Sequence, residues 1–485
     1  MTPEKPNSGS PKKPKKIIPI AADNSTSFYE ARKKIQPRSI GGLFANWRWA
    51  MVWITQIVFY GLPWLQWGER QMVLFDLQAM RFYLFGLVLY PQDFIFLAVL
   101  PIISALALFL FTTVAGRLWC GFTCPQTVYT EIFMWLERVT EGDRSSRLRL
   151  DHSGWTLEKI LKRGAKHASW LAVSLWTGFT FVGYFVPIRT LGVEVMALQG
   201  PWQIFWMLFY SLATYGNAGF LREQICKHMC PYARFQSAML DKDTLIVTYD
   251  PVRGEPRGAR SKKPTAQADA SAQPLGDCID CTLCVQVCPV GIDIRNGLQY
   301  ECIGCGLCID ACDSVMDKVG SPRGLIRLAT QNGMTQRWSQ AHMLRRVLRP
   351  RVLIYSAIMV GICMALAASL ALRVPLKVNV VRDRATLARI VQGGQLENLY
   401  RLQVMNATEQ PQRYRISASG LEGVSVVPED STLELAPTES RWITVRARIP
   451  YGSATPGAHT MQFAIQAQGG DGIEVLEPTV FQIPR

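Results

Sequence analysis

The chain has 485 residues, of which 49% are hydrophobic and 14 are Trp, and its formal net charge is +15. It is too long for one ordinary domain and too apolar for a purely soluble protein, so membrane spans are considered first. Nucleic-acid binding is excluded, because no basic helix or aromatic-rich RNA motif accompanies the positive charge.

Residues 1–45 are predicted to form a disordered basic cytoplasmic tail that includes the run PNSGSPKKPKK. The tail is not a signal peptide, because no apolar stretch follows its charges closely.

Five mostly apolar segments are long enough to cross a hydrocarbon layer about 30 Å thick. Their central stretches have no charged side chain, and Trp or Tyr lies at several of their ends. The segments lie near 49–67, 94–114, 170–188, 202–220 and 352–372. We therefore predict a four-span membrane domain over 46–220 with a cytoplasmic loop at 115–166, and a fifth transmembrane helix over 350–372. Core helices of a soluble protein are the alternative.

The distribution of Lys and Arg predicts the orientation. Residues 1–48 contain ten, the loop 115–166 nine and the region 221–351 eighteen, whereas 68–91 contain two and 189–200 one. By the positive-inside rule the N-terminus is cytoplasmic and, after five spans, the C-terminus is outside. The expected location is a bacterial inner membrane, in contact with lipid.

The region 221–349 is predicted to be cytoplasmic, with a linker over 251–277 and a ferredoxin-like α+β module over 278–320. Eight of the 13 cysteines lie in this module as two C-x2-C-x2-C-x3-C runs. In two-cluster ferredoxins the fourth Cys of each run serves the other cluster. The first [4Fe-4S] cluster is therefore assigned to Cys278, Cys281, Cys284 and Cys312. The second is assigned to Cys302, Cys305, Cys308 and Cys288. Zinc sites use differently spaced pairs, and a reducing cytoplasm disfavours disulfides.

Asp313 follows Cys312 where simple ferredoxins usually have Pro. Its negative charge is expected to lower the reduction potential of the adjacent cluster.

Two C-x3-C-P pairs follow the second and fourth predicted spans: Cys120, Cys124, Cys226 and Cys230. A Cys at a helix N-terminus is expected to have a lowered pKa, because the helix dipole and free amides stabilise the thiolate. These four thiols can bind a soft metal such as Cu(I), ligate another cluster, exchange as disulfides, or simply pack. His228 and Met229 are further candidate copper ligands.

Residues 373–485 contain short alternating runs near 400–405, 413–418, 442–449 and 460–465, separated by turn residues. This pattern predicts an all-β, Ig-like sandwich in the periplasm. The domain has no cysteine, so only the general architecture is expected.

The order of spans, both C-x3-C-P motifs, the segment DKDTLIVTYDPVRGEPRG, the ferredoxin run and the C-terminal sandwich resemble the FixG/RdxA family of cytochrome c oxidase accessory proteins, also called CcoG. The resemblance covers nearly the whole chain from about residue 35. It implies a membrane polyferredoxin that acts as a cupric reductase in the assembly of a cbb-type cytochrome c oxidase. The implied partners are copper ions, copper-transport proteins and oxidase assembly factors. It further implies that the eight module cysteines ligate the clusters, and that the C-x3-C-P cysteines are candidate redox or copper thiols.

Two other functions stay open. The chain can be a quinol-linked electron-transfer subunit, or a non-enzymatic scaffold for oxidase assembly whose clusters are structural. The electron donor, cytoplasmic or quinol, is not determined by the sequence, and a homodimer is one open arrangement.

Overall fold

The structure, a computed structural model, describes residues 35–259, 275–383, 388–391, 393–428, 432–469 and 472–484. Most of the predicted tail and the middle of the predicted linker lie outside these ranges. Two π-helical turns span Asn217–Leu221 and Ile225–Met229. The α-helices are α1 (Leu43–Gly61), α2 (Phe94–Ala115), α3 (Leu118–Phe122), α4 (Pro125–Glu141), α5 (Arg144–His152), α6 (Leu157–Val182), α7 (Ile188–Met196), α8 (Pro201–Gly216), α9 (Arg222–Gln224), α10 (Pro231–Met239), α11 (Pro251–Gly254), α12 (Leu283–Gln286), α13 (Leu307–Val319), α14 (Gln331–Thr335), α15 (Gln340–Arg345) and α16 (Pro350–Ala371).

The strands form small sheets in the first half of the chain and two larger sheets at its end. They are β1 (Gln66–Trp67), β2 (Arg70–Gln71), β3 (Val73–Asp76), β4 (Arg81–Leu84), β5 (Leu87–Leu89), β6 (Ile246–Tyr249), β7 (Ile326–Ala329), β8 (Leu376–Arg382), β9 (Arg389–Val391), β10 (Gln395–Asn406), β11 (Gln412–Ser419), β12 (Ser425–Val427), β13 (Thr432–Leu435), β14 (Ser440–Pro450), β15 (Gly457–Ala467) and β16 (Glu474–Ile483).

The predicted tail and linker are both shorter than the sequence suggested. Gln36 is buried, and the N–H of Arg38 donates to the carbonyl of Gln286 at 2.8 Å. Residues 36–45 therefore belong to the folded chain. At the linker, the carboxylate of Asp277 pairs with Arg253 on α11, so both described ends of the segment 251–277 are packed. Composition alone could not show these contacts with distant residues.

Two helices in the described ranges are long and apolar enough to cross a membrane by length and composition. They are α16 and the 25-residue helix Pro91–Ala115 that contains α2. Almost none of their side chains is buried by other parts of the chain, and exposed apolar surface of this extent indicates contact with lipid or another protein. The other three predicted spans fall on α1, α6 and α8. Of these, α6 carries several Lys and Arg in its first half and α8 is only 16 residues long.

The cysteine-rich module is larger than predicted. Strands β6 and β7 pair antiparallel, with Val247 opposite Leu328, and lie outside the predicted boundaries of 278–320. Val247, Tyr249 and Ile326 pack with residues of α12 and α13 in one core. The apolar residues between the cysteines supply only part of this core, and the flanking strands complete it.

The predicted C-terminal sandwich is confirmed. One antiparallel sheet has the order β12-β14-β10-β8, with β9 also on β10, and the second has the order β13-β11-β15-β16. Their inner faces meet in one core, where Tyr400 and Phe463 lie edge to face with ring centroids 5.1 Å apart. All four predicted runs fall within β10, β11, β14 and β15.

Candidate functional site

The first predicted set of cysteines lines one small cavity of about 20 Å³. Its members are Cys278, Cys281, Cys284 and Cys312. Asp280 and Thr282 have left-handed φ values of 53° and 56°, so the backbone turns sharply on both sides of Cys281. The structure brings this set together and leaves Cys281 exposed.

The second predicted set is more deeply buried. Its members are Cys288, Cys302, Cys305 and Cys308. The other three thiols all act electrostatically on Cys308, so the four are near neighbours. Gly304 and Gly306 flank Cys305 with φ values of 69° and 74°, as Asp280 and Thr282 flank Cys281. Glycine is needed here for a second reason, because a Cβ on Gly306 would lie 2.4 Å from the ring of Phe44.

The donor atoms of both sets fit [4Fe-4S] clusters. All eight thiols are free, and backbone N–H groups donate to the sulfurs of Cys284, Cys302, Cys305 and Cys312. Burial raises the pKa of Cys284 to about 11 and the pKa values of Cys302 and Cys312 to about 12. Iron binding must therefore displace protons from these thiols.

The two C-x3-C-P pairs form a third set, which we call the membrane-edge thiols after the position that the sequence predicts for them. Its members are Cys120 on α3, Cys124 before α4, Cys226 in the second π-helical turn and Cys230 before α10. Cys124 and Cys230 both act electrostatically on Cys226, and Cys124 acts on Cys120. The structure thus assembles the two pairs, which are about 100 residues apart in sequence, at one place.

The predicted lowering of thiol pKa at the helix N-termini is wrong for Cys124. Burial raises the pKa of Cys124, although N–H groups of Gln126 and Thr127 oppose this effect. Burial likewise raises the pKa of Cys120 to about 12 and that of Cys226 to about 11. Desolvation of the thiolate outweighs the helix terminus, which the sequence pattern could not weigh.

The second set and the membrane-edge thiols share one apolar cluster. Cys120 and Cys226 pack in the same apolar cluster as Cys288 and Cys305. A Cβ on Gly121, inside the first C-x3-C-P pair, would lie 2.9 Å from the Cα of Cys305. Three sets of cysteines therefore follow one another from the exposed first set to the membrane-edge thiols.

The copper ligands suggested by the sequence do not form a ready site. His228 and Met229 are exposed, and no three His, Cys, Asp or Glu side chains in the described ranges are arranged around a single metal ion. A [4Fe-4S] cluster holds its ligands on four different iron atoms, so its thiols need not converge on one point.

Four charged residues near the second set were not singled out from the sequence. Arg48 on α1 pairs with Glu131 on α4 at 2.7 Å, and both are buried. Arg117 is buried immediately before α3. The carboxylate of Asp310, between two ligand cysteines, accepts the N–H of Ala45 at 2.8 Å and that of Phe44 at 3.2 Å. These two hydrogen bonds hold α13 against the start of α1. In the sequence, the only feature that could have drawn attention to these four residues is a charge at the edge of an apolar run.

Three family models match the chain. The "4Fe-4S dicluster domain" matches residues 221–331, the "4Fe-4S binding domain" matches 97–141, and the "IG-like fold at C-terminal of FixG" matches 366–484. The second of these ranges contains Cys120 and Cys124.

Similar proteins cover most of the chain. Nitrogen fixation protein FixG of Rhizobium meliloti is 39% identical over 82% of this chain and 82% of its own length. Protein RdxB of Cereibacter sphaeroides is 39% identical over 90% of this chain and 92% of its own length. A solved FixG-related protein from Vibrio parahaemolyticus is 26% identical and covers 22% of this chain and 96% of its own, with a TM-score of 0.21. Given relatives of this similarity over most of its length, the chain belongs to the FixG family and is an iron-sulfur electron-transfer protein.

Proposed function

We propose that this chain reduces Cu(II) to Cu(I) for the assembly of a cbb-type cytochrome c oxidase. The observation that supports the proposal best is the series of three neighbouring cysteine sets, with exposed Cys281 at one end and the membrane-edge thiols at the other. When bound, the [4Fe-4S] clusters supply one-electron carriers. One electron gained by Cu(II) gives Cu(I), the ion that thiol and thioether ligands prefer.

The side chains at the two ends suit these tasks. Cys281 gives an external electron donor access to the first set, whereas burial of the second set keeps water out. Met229, 64% exposed, lies next to Cys230 at the other end. A thioether and a histidine at the surface can receive substrate copper and let it leave toward copper-transport proteins and oxidase assembly factors.

We propose the five-span topology in a bacterial inner membrane, with the N-terminus and the cysteine module in the cytoplasm and the sandwich in the periplasm. The alternation of basic and neutral loops supports it, as do the unburied apolar faces of α2 and α16. Helices α1, α6 and α8 then cross the bilayer beside these two.

The full chain, purified anaerobically in detergent and reduced with dithionite, tests the proposal. After the reductant is removed, Cu(II) is added with a chelator specific for Cu(I). We expect Cu(I) to form as the cluster signals in electron paramagnetic resonance disappear. Cys230→Ser should lose at least tenfold in rate, whereas Cys363→Ser, which alters an exposed thiol on α16, should not.

Reduced wild-type protein that leaves Cu(II) unchanged would overturn copper reduction while leaving the electron carrier intact. Equal rates in Cys230→Ser and wild type would remove the membrane-edge thiols from the reaction.

A groove between α1, α4 and α6 favours a second candidate function, oxidation of a membrane quinol. Its volume is about 1010 Å³, and it is lined by five Trp side chains. The buried amide oxygen of Gln56, which also lines it, has no hydrogen-bond partner in the described residues. A quinol hydroxyl can donate to such an oxygen. Cluster reduction by a soluble quinol, weakened in Gln56→Leu, would favour this function.

A further inference from the structure

Two buried arginines flank the second set of cysteines. Arg117 is 9% exposed and directs its guanidinium at the carbonyl of Ala233. Its backbone packs against Gly304, the residue before Cys305, where an added Cβ would lie 3.3 Å from the carbonyl carbon of Arg117. Within the described ranges no carboxylate pairs with Arg117. A buried cation without a counter-ion is costly, so its surroundings must supply negative charge.

Cysteine side chains of two sets lie within electrostatic reach of Arg117. Arg117 acts electrostatically on Cys302 of the second set and on Cys120 and Cys226 of the membrane-edge thiols. It also lines a cavity together with Cys302. Arg117 therefore lies at the junction of two cysteine sets and stabilises negative charge that forms on either of them.

Arg48 approaches the same set from the other side. Its side chain is 3% exposed, and its Nη2 contacts Glu131, while its buried Nη1 has no hydrogen-bond partner among the residues that the structure describes. Cys305 and Cys288 are the thiols on which its charge acts. Glu131 only partly offsets this charge, since the guanidinium also faces the sulfurs.

The surroundings of the first set are more acidic. Arg295 is the cation there, but two carboxylates, Asp293 and Asp280, pair with it. Asp313 adds a further negative charge that acts on Cys312. The fixed charges near the first set are thus net acidic, whereas the two arginines near the second set balance the carboxylates of Glu131 and Asp310.

We propose that Arg117 and Arg48 are positioning residues that hold the reduction potential of the second cluster above that of the first, so that electrons move inward from the exposed set toward the membrane-edge thiols. Nearby positive charge stabilises the more negative, reduced form of a cluster and raises its potential. The inference depends on the cluster assignment above but not on copper as the final acceptor.

Redox titration of the full chain, followed by electron paramagnetic resonance, tests this proposal. Cys281→Ser removes a thiol of the first set, so the electron paramagnetic resonance signal that changes in this variant is assigned to the first cluster and the other signal to the second. Arg117→Gln should lower the midpoint potential of the second cluster and change its reduced-to-oxidised ratio at least tenfold, which corresponds to 59 mV for one electron. Arg117→Lys should retain most of the potential, because it retains the charge.

For one further variant we expect a shift of the potential in the opposite direction, and for another we expect no shift. Glu131→Gln removes the carboxylate beside Arg48 and should raise the potential of the second cluster. Arg323→Gln, which alters an exposed arginine of the same module, should change neither potential. If Arg117→Gln does not retain iron, Arg117→Lys and Glu131→Gln decide the question.

The proposal is overturned if Arg117→Gln leaves the second potential in place, if Arg117→Lys and Arg117→Gln shift it equally, or if Glu131→Gln lowers it. Iron and acid-labile sulfide content test the cluster assignment separately. A chain without eight iron atoms in the module would remove that assignment rather than the role of the arginines alone.

Discussion

Asp313 is the residue at which this module departs from simple ferredoxins, and its charge has a measurable consequence. Its carboxylate accepts the N–H of Gly324 at 2.9 Å and acts on Cys312. Asp313→Asn keeps an acceptor oxygen there and removes the charge. We expect the first midpoint potential to rise, since about 1 kcal/mol of relieved repulsion corresponds to roughly 40 mV for one electron.

Asp317→Asn is the matched control for this titration. Asp317 lies on the same helix, α13, but its side chain is 46% exposed and pairs with Arg323. Solvent screens such a charge, so both potentials should stay within experimental error. A first potential that is equally unaffected in Asp313→Asn would show that the carboxylate has no electrostatic role.

Cysteine spacing predicted which thiols come together, and the arginines near them could not be predicted. Each C-x2-C-x2-C-x3-C run determines its own local turns. The connection between the two runs is short, so Cys312 of the second run comes close to Cys278 of the first. Arg48 and Arg117 are more than 180 residues before Cys302 in the sequence. Only the folded chain shows that their charges face its sulfur atoms.

At the scale of elements, the contact between α3 and the second set of cysteines depends on Gly121. Gly121 has a helical backbone conformation that any residue can adopt, so the effect of a substitution depends on steric contact alone. Gly121→Ala would put a Cβ 2.9 Å from both the Cα of Cys305 and the carbonyl of Ile303. We expect a loss of roughly 1–3 kcal/mol in stability, as in other overpacked sites.

Thermal unfolding and iron content of the purified chain measure this effect. Gly164→Ala is the control, because Gly164 is also helical but has nothing within 4 Å of an added Cβ. Alanine there should be neutral or stabilise by up to about 1 kcal/mol. Equal melting temperatures and equal iron in both variants would mean that α3 and the module can separate without cost.

Sequence patterns predicted the strands of the sandwich but missed those of the module and of the segment 68–91. In the sandwich, alternating residues such as Leu402 and Val404 point to one core, and period-two patterning is a strong signal. Strands β6 and β7 have four residues each, and β3 to β5 have three or four. Runs this short have too few alternations to stand out, and distant partners determine their pairing.

At the scale of the whole molecule, the sandwich is attached to the segment 68–93 by buried polar contacts. Asp93, 1% exposed, pairs with Arg373 at 2.7 Å and with Lys377 at 3.4 Å. The hydroxyl of Tyr90 donates to the carbonyls of Asn406 and Thr438, each at 2.9 Å. The sandwich is therefore held beside the start of α2 as well as by its covalent link to α16.

Asp93→Ala should release this attachment, because it leaves the buried guanidinium of Arg373 without its carboxylate. Removing one partner of a buried pair costs about 3–5 kcal/mol. We expect faster amide hydrogen exchange in β4, β5 and the residues around Asn406, with exchange in the sandwich core at Tyr400 and Phe463 unchanged. Glu409→Gln is the control, since Glu409 forms a partly exposed pair with Arg70, and such pairs contribute little. Exchange that is the same in both variants, or that rises throughout the sandwich in Asp93→Ala, would contradict a local attachment through Asp93.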